Sequence, residues 1–357
     1  MSRSGALALA AVLAIVGSVG PAGHGGRADA SVWDGAVQST ADAELLATYD
    51  AAVRTGDEHV AQANTYGSSL SEKKRQVRIA IDAYRRAATS RPTLAEPYFR
   101  VAETLYSFYL DSCADQRQLR TQSPLRDCQA GYEVIDRAIA QETIDALDAA
   151  EARAPLDPRF SAGDSSVLFE RALLHTRLAT MDHFRAASRD YEAYLVRAEV
   201  DPDYTETAWA NLAETYMMIG DLDRAIDGYR EALRASGGTD ASTWFGYAVA
   251  LDRDGRTSRA HETITDQGID SYATFRRRVE EGTTFFVPVG EQFYYFALAE
   301  EAFGHDASAL RYWQAYLESG AHPQYQPRAR AHITATSARL GTAKAVAAPP
   351  IELWDLP

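Results

Sequence analysis

Between residues 209 and 233 the chain reads WANLAETYMMIGDLDRAIDGYREAL, with small residues set among aromatic ones at helical spacing. That spacing puts Trp209, Leu212, Ala213 and Tyr216 on one face of a helix, and Ala225, Tyr229 and Ala232 on one face of a second. Gly220 and Asp221 stand between them. Glycine accepts the left-handed conformation that ends a helix, and aspartate receives the orphan N–H groups that start the next. The stretch therefore encodes two antiparallel helices, with alanine methyls where the backbones approach and rings filling the space beside them. One such pair cannot bury its apolar face alone, so the pattern requires neighbours of the same kind.

The neighbours are there. Trp244, Tyr247, Ala248, Leu251, Gly255, Ala260 and Ile264 repeat the frame one residue out of step. Phe293, Phe296, Ala297, Gly304, Ala309, Trp313 and Tyr316 repeat it again, with Glu300 where a ring or leucine is usual. Upstream, Ala80, Tyr84, Ala87 and Pro92 form the second half of a unit, and Tyr98, Val101, Ala102 and Leu105 open the following one. Leu174, Leu178, Ala187, Tyr191 and Tyr194 make a weaker match between these, closed by Asp201 and Pro202.

This series resembles the tetratricopeptide repeat, whose signature W-x2-L-G-x2-Y is followed by A-x3-F and Pro. Here Ala213 replaces the first small glycine, Tyr229 the phenylalanine, and Gly237 stands near the expected proline. The resemblance covers most of residues 71 to 320 and implies an all-α, right-handed superhelical solenoid of antiparallel helix pairs, in five or six units, with capping helices and two loop insertions. It further implies a surface for protein partners, lined mainly by the first helix of each pair. Carried onto this chain, the groove positions are Glu96, Phe99, Glu103, Tyr106, Glu214, Met217, Met218, Phe245, Tyr294 and Leu298. Rings and thioethers beside carboxylates would suit a peptide with apolar anchors and basic flanks. Clamps of this family that hold a C-terminal carboxylate use Lys, Arg and Asn at such positions, and this chain has acidic or apolar residues there.

Outside the repeat frame, residues 31–70 read as an N-terminal capping or linker region, with an amphipathic helix over 44–53 and breaks at Gly56 and Gly67 to Ser69. The repeat region, 71–340, carries insertions at 113–128 and 268–292. The first occupies the turn of the Tyr98 unit and precedes a helix-forming run from Tyr132 to Arg153, stopped by Pro155 and Pro158. In the second, Thr283 to Val289 is β-branched and aromatic and reads as extended, packing as a connector rather than serving as a binding loop. Pro327 to Leu340 looks like a terminal cap, and 341–357 is an Ala/Pro spacer followed by Ile351, Leu353, Trp354 and Leu356, either a sticky exposed motif or a segment folded back.

Residues 1–30 read as an export signal: Arg3, an apolar run from Ala6 to Val16 too short to span a bilayer, then small residues ending at Ala28-Asp29-Ala30, with a cut after Ala22 as the second choice. A retained anchor is the alternative. The expected compartment is the bacterial periplasm. The net charge of the 357 residues is −14, and residues 1–30 carry a net positive charge, so their removal makes the balance more negative still. Such acidity opposes nucleic acid and anionic lipid and favours basic partners. Cys113 and Cys128 are most simply one disulfide in an oxidising compartment, worth about 3 kcal/mol from loop closure; they lack the C-x-x-C spacing of a redox pair.

Candidate chemistry is sparse. His175 and His183 lack the i, i+4 spacing of a ligand pair, His322 and His332 lack any recognisable one, and no H-E-x-x-H or Cys/His cluster occurs. Asp252-Arg253-Asp254-Gly255 begins like a calcium loop, but Thr257 occupies the glycine position. Nucleophile-elbow, phosphate-loop and dinucleotide motifs are absent. No catalytic residue, metal or cofactor is indicated. The expectation is a non-enzymatic adaptor of the cell envelope; the alternative is an enzyme or accessory factor of cell-wall synthesis or hydrolysis, recognisable by a deep pocket with convergent carboxylates of shifted pKa.

Overall fold

The computed structural model describes residues 31–65, 67–110, 125–126, 135–161, 166–196, 202–284 and 286–341. Residues 1–30, expected to be an export signal, Cys113, Cys128 and the tail from residue 342 lie outside them. The described residues form α-helices and connecting turns, with no strand among them. The chain divides into two units at Leu46 and Ala47. Helix α1 (Ser31–Ala63) crosses that boundary. In the first unit the described residues are helical throughout, and Leu45 and Leu46 are exposed.

The second unit is a succession of helices, most of them packed on the next in chain order. After α1 come α2 (Leu70–Ser90), α3 (Glu96–Leu105), α4 (Arg137–Arg153), the single turn α5 (Pro158–Ser161), α6 (Val167–Leu178) and α7 (Met181–Leu195). Then follow α8 (Pro202–Ile219), α9 (Leu222–Ala235), α10 (Ala241–Arg253), α11 (Thr257–Glu280), α12 (Gln292–Ala302), α13 (Asp306–Ser319) and α14 (Gln326–Arg339). The hairpins α6/α7, α8/α9, α10/α11 and α12/α13 are the most closely packed neighbours. The fold is therefore all-α and built of successive helix pairs, as the repeat pattern requires.

Local chemistry explains the hairpins. Gly220 turns the chain between α8 and α9 with φ +85°, and the Asp221 side chain accepts from the Arg224 N–H. Between α6 and α7 the same left-handed position is held by Ala179 at φ 52°, and Thr180 caps α7. The small residues sit where backbones meet. A Cβ on Gly228 of α9 would lie 3.0 Å from the Ala213 methyl of α8, and one on Gly246 of α10 would lie 2.5 Å from the Tyr229 ring of α9. Ala80, Ala87, Ala102, Ala213, Ala225, Ala232, Ala248, Ala260, Ala297 and Ala309 are buried, as are Tyr84, Leu212, Tyr216, Tyr229 and Trp313; Tyr98, Trp209 and Trp244 are half-buried. Each large side chain enclosed this way contributes about 1.5–3 kcal/mol.

Three local expectations need correction. Helix α1 runs through Gly56 without a break, because the missing Cβ admits the Tyr84 ring, whose atoms would stand 2.2 Å from it, and Tyr84 Oη donates to Asp57 at 2.8 Å. The run expected to be helical from Tyr132 starts at Arg137, where the Asp136 carboxylate accepts from the Ala138 and Ile139 N–H groups. The second insertion is largely helical: α11 continues to Glu280 past a non-helical Gly268, burying Tyr272 and Phe275. Within Thr283 to Val289 the described residues are non-helical as far as Pro288, which is extended at φ −73° and ψ 159°, and Phe286 is buried.

Candidate functional site

A cleft of about 1300 Å³ opens beside α8. Helices α6 and α7 supply one wall with Phe169, Leu173, Thr176 and Tyr191; the opposite wall is the first turns of α10 together with Arg278 to Thr284, Phe286 and Val287. Tyr204, Glu206, Asn211, Glu214, Thr215 and Met218 of α8 lie between. The aromatic lining is cross-braced: Phe169 packs edge-on to Tyr191 and Tyr204 at centroid distances of 5.8 Å each, and Phe286 lies 4.7 Å from Tyr295.

The polar groups are set by helix ends and neighbouring rings. Asp240 caps α10, accepting from the Thr243 N–H at 2.8 Å and its hydroxyl at 2.9 Å, and forms an ion pair with Arg278. Glu214 accepts from two phenols on one oxygen, Tyr229 at 2.6 Å and Tyr295 at 2.8 Å. Both phenols are held well above their ordinary pKa, by burial first and by the Glu214 charge second. Burial, and then the Asp240 carboxylate, push the Glu206 carboxyl upward. Glu206, Glu214, Asp240, Glu280 and Glu281 outnumber Arg177 and Arg278 in the lining, so the cleft is acidic.

Of the groove positions implied by the resemblance, Glu214 and Met218 reach this cleft. Phe99, Met217, Phe245, Tyr294 and Leu298 are buried, at most 4 % exposed, and belong to the interior rather than to an open surface. For the residues of α8, α10 and α12 the cause is convergence of those helices: Tyr295 spans from α12 to Glu214 on α8, and Tyr325 donates to the Met217 carbonyl; Phe99, on α3, is covered instead by Phe160 at a centroid distance of 5.1 Å. Glu96 lies apart, paired with Arg100 at 2.8 Å and Arg159 at 3.0 Å; Glu103 is exposed and Tyr106 half-buried. Asp240, Arg278, Phe286 and Glu206 were not singled out in the sequence. Asp240 alone carried a signal, as an aspartate preceding an apolar helical run.

Two buried polar clusters lie beyond the cleft. His332 Nδ1 is 2.8 Å from Glu301 and its Nε2 2.9 Å from Asp252, which also accepts from Tyr294 at 2.6 Å and pairs with Arg328 at 2.8 Å. Arg253 and Glu291 form an ion pair with both side chains fully enclosed, Arg253 lying over the Tyr325 ring at 4.0 Å. These tie α10 to α12 and α14, and of the side chains named Arg328 alone is partly exposed. His175 and His183, eight residues apart, are brought together by the turn at Ala179, with their Nδ1 atoms 2.8 Å apart. Among the described residues no three His, Cys, Asp or Glu side chains are placed to hold a metal, and no helix is long and apolar enough to cross a membrane.

No protein-family model and no curated protein matches this sequence. Among solved structures, the chain is similar to the crystal structure of MamA protein, at 14% identity and a TM-score of 0.38, over 66% of this chain and 94% of that one. It is also similar to the P58(IPK) TPR domain, at 12% identity and a TM-score of 0.15, over 83% of this chain and 99% of that one. Both scores are low, and the fold is defined by the helix pairing described above.

Proposed function

We propose that this chain is a non-catalytic scaffold of the bacterial cell envelope, exported to the periplasm by residues 1–30, which holds a segment of a partner protein in the cleft beside α8. The cleft carries this reading. Rings for apolar anchors and an acidic excess for basic flanks lie in one cavity of about 1300 Å³. Tyr204 offers a ring at its edge, 52% exposed.

The test is site-specific photo-crosslinking in cells. A photoreactive residue at Tyr204 or Thr283, both in the cleft lining, should yield a discrete cross-linked protein that the same residue at Leu156, 86% exposed and outside the lining, does not. The same products from all three positions would refute the reading. The rival, a cell-wall enzyme, has the upward-shifted Glu206 in its favour. It needs a second available carboxylate: Asp240 is engaged by Arg278 and Thr243 and Glu214 by two phenols, which leaves Glu280 and Glu281 of the same lining as its candidates. Release of fragments from peptidoglycan by the purified protein would support that rival.

A further inference from the structure

Two histidines close the α6/α7 hairpin. His175, in the last turn of α6, and His183, in the first turn of α7, set their Nδ1 atoms 2.8 Å apart, so one ring donates an N–H to the lone pair of the other. His175 is 7% exposed and His183 is half-buried. The gap holds one proton. The contact tolerates a single imidazolium, which still has an Nδ1–H to donate, but a second protonation leaves two N–H groups and two charges face to face.

The surroundings are cationic. Arg171 on α6 and Arg189 on α7 act on His175; Arg137 on α4 acts on His183 and is anchored to the hairpin by donating to the Leu178 carbonyl at 2.6 Å. Arg171 is itself paired with Asp148, Glu151 and Asp190, whereas Arg137 and Arg189 form no ion pair among the described residues. The carboxylate that acts on the pair is Asp182, whose side chain is 95% exposed. Burial first, then His183 and the arginines, push the His175 ring down to about 3; burial and then Arg137 lower His183. Between the two rings the chain turns through Ala179 at φ 52°, a left-handed conformation that alanine holds only under the constraint of its neighbours. His175 precedes Thr176 and His183 precedes Phe184, and both of those residues line the cleft.

We propose that the His175–His183 contact is an acid-sensitive joint: acidification drives the rings apart, opens the α6/α7 hairpin and loosens the cleft wall to which Thr176 and Phe184 belong. Opening returns both rings to water, where each titrates near 6.5, whereas the closed contact keeps His175 neutral far below that. The closed form is therefore favoured above pH 6.5 and loses ground as pH falls. For His175 alone, the opening equilibrium grows about thirtyfold between pH 7.5 and pH 5. The joint needs no bound partner, so it stands or falls separately from the polypeptide-binding reading.

The test is amide hydrogen exchange of the full chain at pH 7.5 and pH 5, corrected for the intrinsic pH dependence of exchange. Opening of the amides in Val167–Leu178 and Met181–Leu195 should rise about thirtyfold at the lower pH, while the α8/α9 hairpin, which contains no histidine, should change about threefold or less. His175→Gln should reduce the rise in α6/α7 to about threefold or less, because the ring that remains, His183, is half-exposed. Equal opening of α6/α7 at both pH values, or a rise shared equally by α8/α9, overturns the joint on wild-type data alone, whether or not the variant folds. A rise that persists undiminished in His175→Gln overturns it as well.

Discussion

Replacing His332 by glutamine tests whether the C-terminal helices are clamped by a buried charge. The imidazole is 5% exposed and stacks on Trp313 with ring centroids 4.4 Å apart, and each of its nitrogens faces a carboxylate. Burial opposes the charged ring, but hydrogen bonds and charge from Asp252 and Glu301 outweigh it and raise His332 from 6.5 to about 9. Titration near 6.5 in the unfolded chain and near 9 in the folded one corresponds to about 3 kcal/mol of stabilisation. Because the folded-state pKa is the higher one, this contribution is complete below pH 6.5, shrinks as pH rises, and is lost above 9. In His332→Gln, Asp252 keeps Arg328 and Tyr294, and Glu301 keeps Arg339 and Trp313, so the loss is chiefly that of the imidazolium. Urea unfolding followed by tryptophan fluorescence should find the variant about 3 kcal/mol less stable at pH 6, with a melting temperature roughly 6 °C lower, and within about 1 kcal/mol of wild type at pH 10. A stability difference that is the same at both pH values, or none at pH 6, would refute the clamp.

Other perturbations probe the seams and the disulfide expected between Cys113 and Cys128. Gly246→Ala places a methyl against the Tyr229 ring and should cost about 1–3 kcal/mol in thermal melts; no loss would mean that the seam is loose. Arg253→Met strands the enclosed Glu291 carboxylate and should cost about 3–5 kcal/mol, while the double variant with Glu291→Met should recover most of it; equal losses in single and double variants would contradict a charge penalty. Glu214→Ala leaves the hydroxyls of Tyr229 and Tyr295 buried without their acceptor, an expected loss of about 2–4 kcal/mol by urea unfolding, with Glu214→Gln losing less. Intact mass of the oxidised protein with and without alkylation should show no free thiol at Cys113 or Cys128; two free thiols would remove the bridge.

The helices and their pairing were legible because both are local. Three-and-four spacing, a glycine at the turn and an aspartate after it lie within a few residues of each other, as at Gly220 and Asp221. The site was not legible, because it is set by how successive pairs are rotated against one another, which no single repeat records. Glu214 meets Tyr295 across 81 residues and His332 meets Asp252 across 80. Those long-range contacts turn the implied groove positions Met217, Phe245, Tyr294 and Leu298 into interior residues. The cleft that remains takes its charged and aromatic edge from positions the repeat frame ignores, the cap Asp240 and the connector residues Arg278 and Phe286. One signal of this was present in α12, QFYYFALAEEA, where Phe293, Tyr294, Tyr295 and Phe296 run consecutively around the helix. A helix apolar on every side is enclosed on every side. That alone removes Tyr294 and Leu298 from any open surface and implies that a neighbouring helix approaches from the face expected to be free. The neighbour that meets Tyr295 there is α8, through Glu214, and both residues of that contact line the cavity, which opens between the α6/α7 pair and the start of α10.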